Sequence, residues 1–126
     1  MATYEKLKTI TMIAAADYSD QTAHYRFIKS STAPKSFVRC DTAGERSDGV
    51  CQDHPGEGHA SCIAVGGVSK VEAGAAFNPG VQISTDAQGR AIAATSGAYV
   101  LGTSILGAGA AGEIVSVLLD NNGKKA

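Results

Sequence analysis

Cys51, His54, His59 and Cys62 stand in a near-palindrome, Cys-x2-His-x4-His-x2-Cys, with Cys40 upstream. These are the residue types that hold zinc tetrahedrally, and the outer spacings suit ligand pairs. The flanking segments GVCQ and SCIAV, joined by DHPGEGH, read as a hairpin with a longer loop. Centred between Gly56 and Glu57, that hairpin sets Cys51 and Cys62 opposite each other, with both histidines in the turn. Three chemistries compete there: a metal site, a disulfide, and plain packing thiols beside solvated histidines. The Gly-Glu-Gly between the histidines is too flexible to preorganise ligands, so no metal and no cofactor are expected. Facing cysteines on paired strands can approach the Cα separation of about 5.5 Å that a disulfide needs. An odd total of Cys40, Cys51 and Cys62 then leaves one thiol for another chain. Free cysteine is otherwise a small buried hydrophobe.

Nucleophilic catalysis needs a thiolate stabilised by histidine and an orienting third group. Cys51 and His54 share one loop, and no recognisable nucleophile turn surrounds either. Asp41, Glu45, Asp48, Asp53 and Glu57 lie in turns rich in Gly and Ser, where polar groups ordinarily face water. Gly66-Gly67 and the Gly107–Gly112 stretch lack the Lys-Ser or Lys-Thr and the following helix of a phosphate loop. The reading is a non-enzyme.

The elements that must position these residues read as β. Short β-prone runs at 25–29 (YRFIK) and 37–40 (FVRC) flank the loop Ser30–Ser36, and DTAGERSD at 41–48 carries turn chemistry. Val68–Val71 is a further short run. Asn78-Pro79-Gly80 is a strong turn, since Pro fixes φ and the next Gly tolerates φ above zero. Val81, Ile83 and Thr85 alternate with polar residues as a half-buried strand, Asp86–Gly89 turns the chain, and Arg90–Ala94 returns it. Residues 99–105 (YVLGTSI) and 114–119 (IVSVLL) complete the set. Turns at such short intervals predict a small single-domain β-barrel or sandwich.

Residues 1–20 are expected to form an extended N-terminal arm that includes a strand, 21–120 the β domain and 121–126 a polar, frayed tail. In the arm, Leu7, Ile10, Met12 and Ile13 fit neither period, so they are expected to order only against a neighbouring subunit. The start lacks the basic end and compact apolar stretch of a secretory signal, which points to synthesis in the cytoplasm.

Composition narrows the function. Of 126 residues, Lys plus Arg make 11 and Asp plus Glu 12, a net charge of -1. Nucleic-acid binders carry a basic excess, so none is expected as partner. No apolar run approaches the roughly 20 residues of a membrane helix. Leu, Ile, Val and Phe total 25, Ala 21, and Trp is absent. Burial stabilises in proportion to apolar area, so this core is thin for its length and association is expected to add stability. With little net charge, an interface made of backbone and small residues should be insensitive to salt.

From Tyr25 onward the sequence resembles the small capsid cement (decoration) proteins of tailed phages. The resemblance is carried by YRFIK, Gly44-Glu45-Arg46, Gly49-Val50-Cys51-Gln52 and Pro55. Its most specific part is AVGGVSKVEAGAAFNPGVQISTDAQGRAIAATSGAYVLGTSILGAGAAGEIVSVLL, from Ala64 to Leu119. It implies a structural virion protein on the outer surface of the major capsid protein lattice, stabilising the head against internal pressure. It also implies copies grouped as trimers, and supplies no catalytic residues. Cys51 and Cys62 depart from that pattern, which motivates an inter-subunit disulfide through Cys40, Cys51 or Cys62. Two other readings compete: a small metal- or redox-responsive β protein using the Cys/His hairpin, and another phage head or tail accessory protein such as a head-fibre base.

Overall fold

β-Branched and aromatic residues between closely spaced turns build nine strands among the described residues, which are 5–120 and 124–126 of a computed structural model. In chain order they are β1 Glu5–Ala14, β2 Phe27–Ser30, β3 Ser36–Arg39, β4 Gly49–Cys51, β5 Ala60–Glu72, β6 Gln82–Thr85, β7 Ala91–Ala93, β8 Gly102–Ser104 and β9 Ile114–Leu119. The sheet order is β1-β3-β2-β4-β5-β9-β8-β6-β7, and a second pairing of β1 with β5 closes the first five strands into a ring. The expected all-β fold is therefore the observed one. The Asn78-Pro79-Gly80 turn is present, with Gly80 at φ 79°.

Two cores follow from this topology. Inside the ring lie Met12, Ala14, Tyr18, Ala23, Ile28, Phe37, Cys51 and Ile63. Outside it, Phe27, Val50, Ala64 and Val71 of the ring strands meet Ile83, Ala91, Val115 and Val117 of the remaining strands. Neighbours on β2 (Phe27, Ile28), β4 (Val50, Cys51) and β5 (Ile63, Ala64) thus alternate between the cores, as the period of two dictates.

β5 merges two runs that the sequence separates, SCIAV and the run around Val68–Val71. Ala64 and Val71 are an odd number of residues apart, yet both face the outer core. An unbroken strand would put them on opposite faces. The switch sits at Gly66-Gly67, where Gly67 takes φ 80° and the β1–β5 register shifts on either side of Lys8. A side chain at Gly67 would be strained there.

Two expectations are corrected. Residues 5–14 are not a free arm: β1 runs antiparallel to β5 from Glu5↔Val68 to Ile13↔Ala60 and parallel to β3 at Ile13↔Ser36. Met12 and Ala14 are buried in the ring, Leu7 packs partly on the outer core, Ile13 is half-buried and Ile10 is exposed. Register shifts on either side of Lys8 separate Leu7 from the regular stretch Thr9–Ile13, in which Met12 is buried and Ile10 exposed. Nor is the end of the tail frayed: Lys124 O accepts Val100 N–H at 2.8 Å, Ala126 N–H reaches Ala98 O at 2.8 Å, and Lys125 Nζ lies 4.8 Å from the centre of the Tyr99 ring. Residues 1–4 and 121–123 of these two segments lie outside the described residues.

Candidate interaction surface and the cysteine–histidine hairpin

β4 and β5 form the expected hairpin, but its register differs by one residue. Cys51 pairs with Ile63 and Val50 with Ala64, while Cys62 pairs across the other edge with Thr11 of β1. Because side chains alternate, one residue is enough to place Cys51 and Cys62 on opposite faces. All three thiols are free. The facing geometry needed for an intrachain Cys51–Cys62 bridge is absent.

The three thiols have different environments. Cys40 is buried in the outer core, where loss of hydration pushes its thiol up to about 12, with the Glu45 charge adding to the effect. Cys51 is buried in the ring. Its Sγ donates to Asp53 O at 3.1 Å and lies 3.4 Å from Ser61 Oγ, and burial again raises its pKa. Ser61 Oγ donates in turn to the Asp53 carboxylate. Both are neutral packing thiols at pH 7. Cys62 is exposed. Native protein treated with iodoacetamide near pH 8 should therefore be labelled at Cys62 alone, with Cys40 and Cys51 reacting only after denaturation. Mass spectrometry of the peptides checks this, and labelling of Cys40 in the folded protein would contradict the packing described.

The histidines separate likewise. His59 is exposed in the turn, and its charge adds slightly to the bonds from Ser19 N–H (3.0 Å) and Oγ (2.7 Å) that lower the Asp17 pKa. His54 meets a residue the motif does not contain, His24, with ring centroids 5.7 Å apart. Among the described residues no group of three or more His, Cys, Asp or Glu is placed to hold a metal.

The turn carboxylates brace the backbone. Lys29 Nζ lies 2.8 Å from both Asp41 Oδ1 and Glu45 Oε1, which raises the Lys29 pKa and lowers that of Asp41. Glu45 Oε2 accepts the N–H groups of Asp41 and Thr42, each at 2.8 Å, and Asp48 Oδ2 accepts Ser30 N–H at 2.8 Å. A shallow groove of about 290 Å³, lined by residues including Ala43, Ser84, Ile92 and Thr95, carries no charged side chain.

A candidate contact surface lies elsewhere. β9 presents Val115 and Val117 to the core and turns Ile114 and Leu118 to solvent, 40% and 44% exposed. Ile105, at the bend after β8, is 45% exposed and donates its N–H to Ser116 O at 2.9 Å, which seats it beside the same strand. Thr103 pairs with Leu118 and Lys70 with Ser116, flanking these side chains with polar groups. Three of the four large apolar side chains that stand exposed among the described residues thus gather on one face; the fourth, Ile10, is on β1. Sequence reading missed this cluster, although IVSVLL holds apolar residues at both parities, more than a one-sided strand requires. Clustered exposed apolar side chains rimmed by polar groups mark binding surfaces.

No protein-family model matches this chain, and no curated protein matches it. Among solved structures it is similar to the N base of head fiber gp8.5 in bacteriophage phi29, with a TM-score of 0.71 and 16% identity. The match covers 95% of this chain and 99% of that one. At that identity the likeness is one of fold.

Proposed function

We propose that this chain is a non-enzymatic structural protein of a tailed-phage virion, bound to the outside of the head on the major capsid protein lattice. The observation that carries the reading is the fold, shared over nearly its whole length with the base of a phage head fiber. The resemblance to cement proteins between Tyr25 and Leu119 supports it independently. Such a protein reinforces the shell by bridging neighbouring capsid subunits, and needs a rigid β scaffold and a desolvated contact surface rather than a catalytic cleft. Copies grouped as trimers, made in the host cytoplasm, fit the same role. The fold neighbour also favours a second reading, in which the domain is the base of a head fiber instead of a cement. An image reconstruction of the virion separates them: density capping the shell alone supports the cement, and density continuing into a projecting fiber supports the base.

The face of β9 is the contact assigned to the capsid, with Ile10 of β1 as a second contact. In co-sedimentation with expanded heads lacking the protein, Ile114→Asp combined with Leu118→Asp should reduce occupancy at least tenfold, because each would bury a carboxylate in the interface. The folded monomer should be little affected, since both side chains already face water. Occupancy of the wild type should change little between low and moderate salt. Wild-type occupancy by the double variant would remove β9 from the interface. No co-sedimentation of the wild type would defeat the proposed function itself.

A further inference from the structure

We infer that His24 and His54 form a binding site for a divalent transition-metal ion, with water completing its coordination. The inference stands on the hairpin's geometry and is independent of any role on a phage head. The two rings lie with centroids 5.7 Å apart and planes inclined at 63°. Two imidazoles on one ion, with metal–nitrogen bonds of about 2.0–2.1 Å, place their centroids roughly 4.5–6.4 Å apart across the usual coordination angles. The observed separation falls inside that range; the rings meet edge to face, so binding requires the side chains to rotate until one nitrogen of each points at the ion.

Both rings stand on pinned backbone, which keeps the ordering cost of binding low. His24 N–H donates to Gln21 O at 3.2 Å. The next residue, Tyr25, is held in the left-handed region at φ 57° by two bonds: its N–H to Cys51 O and Glu72 N–H to its own carbonyl, both 2.8 Å. Its ring stacks on His24 with centroids 4.0 Å apart. His54 lies between Asp53, whose carbonyl accepts the Cys51 thiol, and the buried Pro55, whose carbonyl accepts Tyr18 N–H at 2.9 Å. His54 is exposed and His24 half-buried, so an ion reaches the pair from solvent.

The ligand set defines the metal class. Neutral imidazole suits copper, nickel and zinc, with copper(II) bound most tightly, and discriminates against magnesium and calcium, which prefer oxygen. Cys51, the nearest thiol in sequence, is buried and already engaged with Asp53 and Ser61. With two protein ligands the ion keeps exchangeable waters. It would tie the 15–26 connection to the 52–59 turn, two segments that are remote in sequence.

The experiment uses the untagged full-length chain, titrated calorimetrically near pH 7.5 with copper(II), nickel(II), zinc(II) and magnesium chlorides. The expected result is one equivalent bound, tightest for copper and none for magnesium, with a rise in Tm at saturating metal. His24→Phe, which keeps an aromatic ring against Tyr25, and His54→Ala should each weaken binding at least tenfold, while His59→Ala and Cys62→Ser leave it unchanged. Unperturbed binding in His24→Phe, loss of binding in Cys62→Ser or His59→Ala, or no binding of copper, nickel or zinc by the wild type up to millimolar concentration would each overturn the site.

Discussion

Deleting residues 1–16 should abolish folding. Without β1 the ring opens between β3 and β5, and both strands lose backbone partners along that edge. The deletion also removes Met12 and Ala14 from the ring core, exposing Phe37 and Ile63 behind them. Truncating a buried Met to Ala alone costs about 2–5 kcal/mol. The backbone groups of β3 and β5 freed along that edge turn to water, a net loss of about 0.5–1.5 kcal/mol for each hydrogen bond. Domains are stable by only about 5–15 kcal/mol, so the sum reaches the whole margin. Circular dichroism and amide-proton dispersion of the truncated chain check this. A cooperative thermal transition in that chain would show that β1 is dispensable, and would restore it to the role of an accessory arm.

Phe27→Ala and Phe37→Ala should each destabilise by about 3–5 kcal/mol, the cost of emptying an aromatic site in a packed core. For a chain of this size that corresponds to a fall in Tm of roughly 10–25 °C. The two phenylalanines test different halves. Phe37 fills the ring, against Tyr18 with ring centroids 6.0 Å apart, and Phe27 fills the layer between the ring and β6–β9. Both cores share β5, which places Ile63 in one and Ala64 in the other. Each variant should therefore still melt in a single transition, seen by calorimetry. Two resolved transitions in Phe37→Ala would show that the ring and the outer sheet fold as separate units.

The strand-by-strand reading succeeded where local chemistry decides. The strands around Val50, Ile83 and Val115 fall inside segments whose β-propensity and bounding turns mark them, and those around Phe27 and Phe37 overrun theirs by one residue, at Ser30 and Ser36. It failed at β1 because register shifts on either side of Lys8 put Leu7 out of phase with Ile10, Met12 and Ile13, and because Ile13 lies on the face opposite Met12. It divided β5 at Gly66-Gly67, where glycine marks a change of face within one strand instead of an end. At the hairpin, a centre displaced by half a residue turned a facing cysteine pair into one buried and one exposed thiol.

What the sequence by itself determined is the content of the fold: short β runs, the turns that bound them, and a thin core rich in alanine. These are properties of neighbouring residues and need no partner to be recognised. Tertiary structure alone decided which edges pair, that β1 closes a ring, that His54 meets His24, and that Ile105, Ile114 and Leu118 share an outer face. Each of those depends on contacts between residues far apart in the chain. Their register is set by how whole faces bury against one another, and a slip of one residue reverses every side chain on a strand.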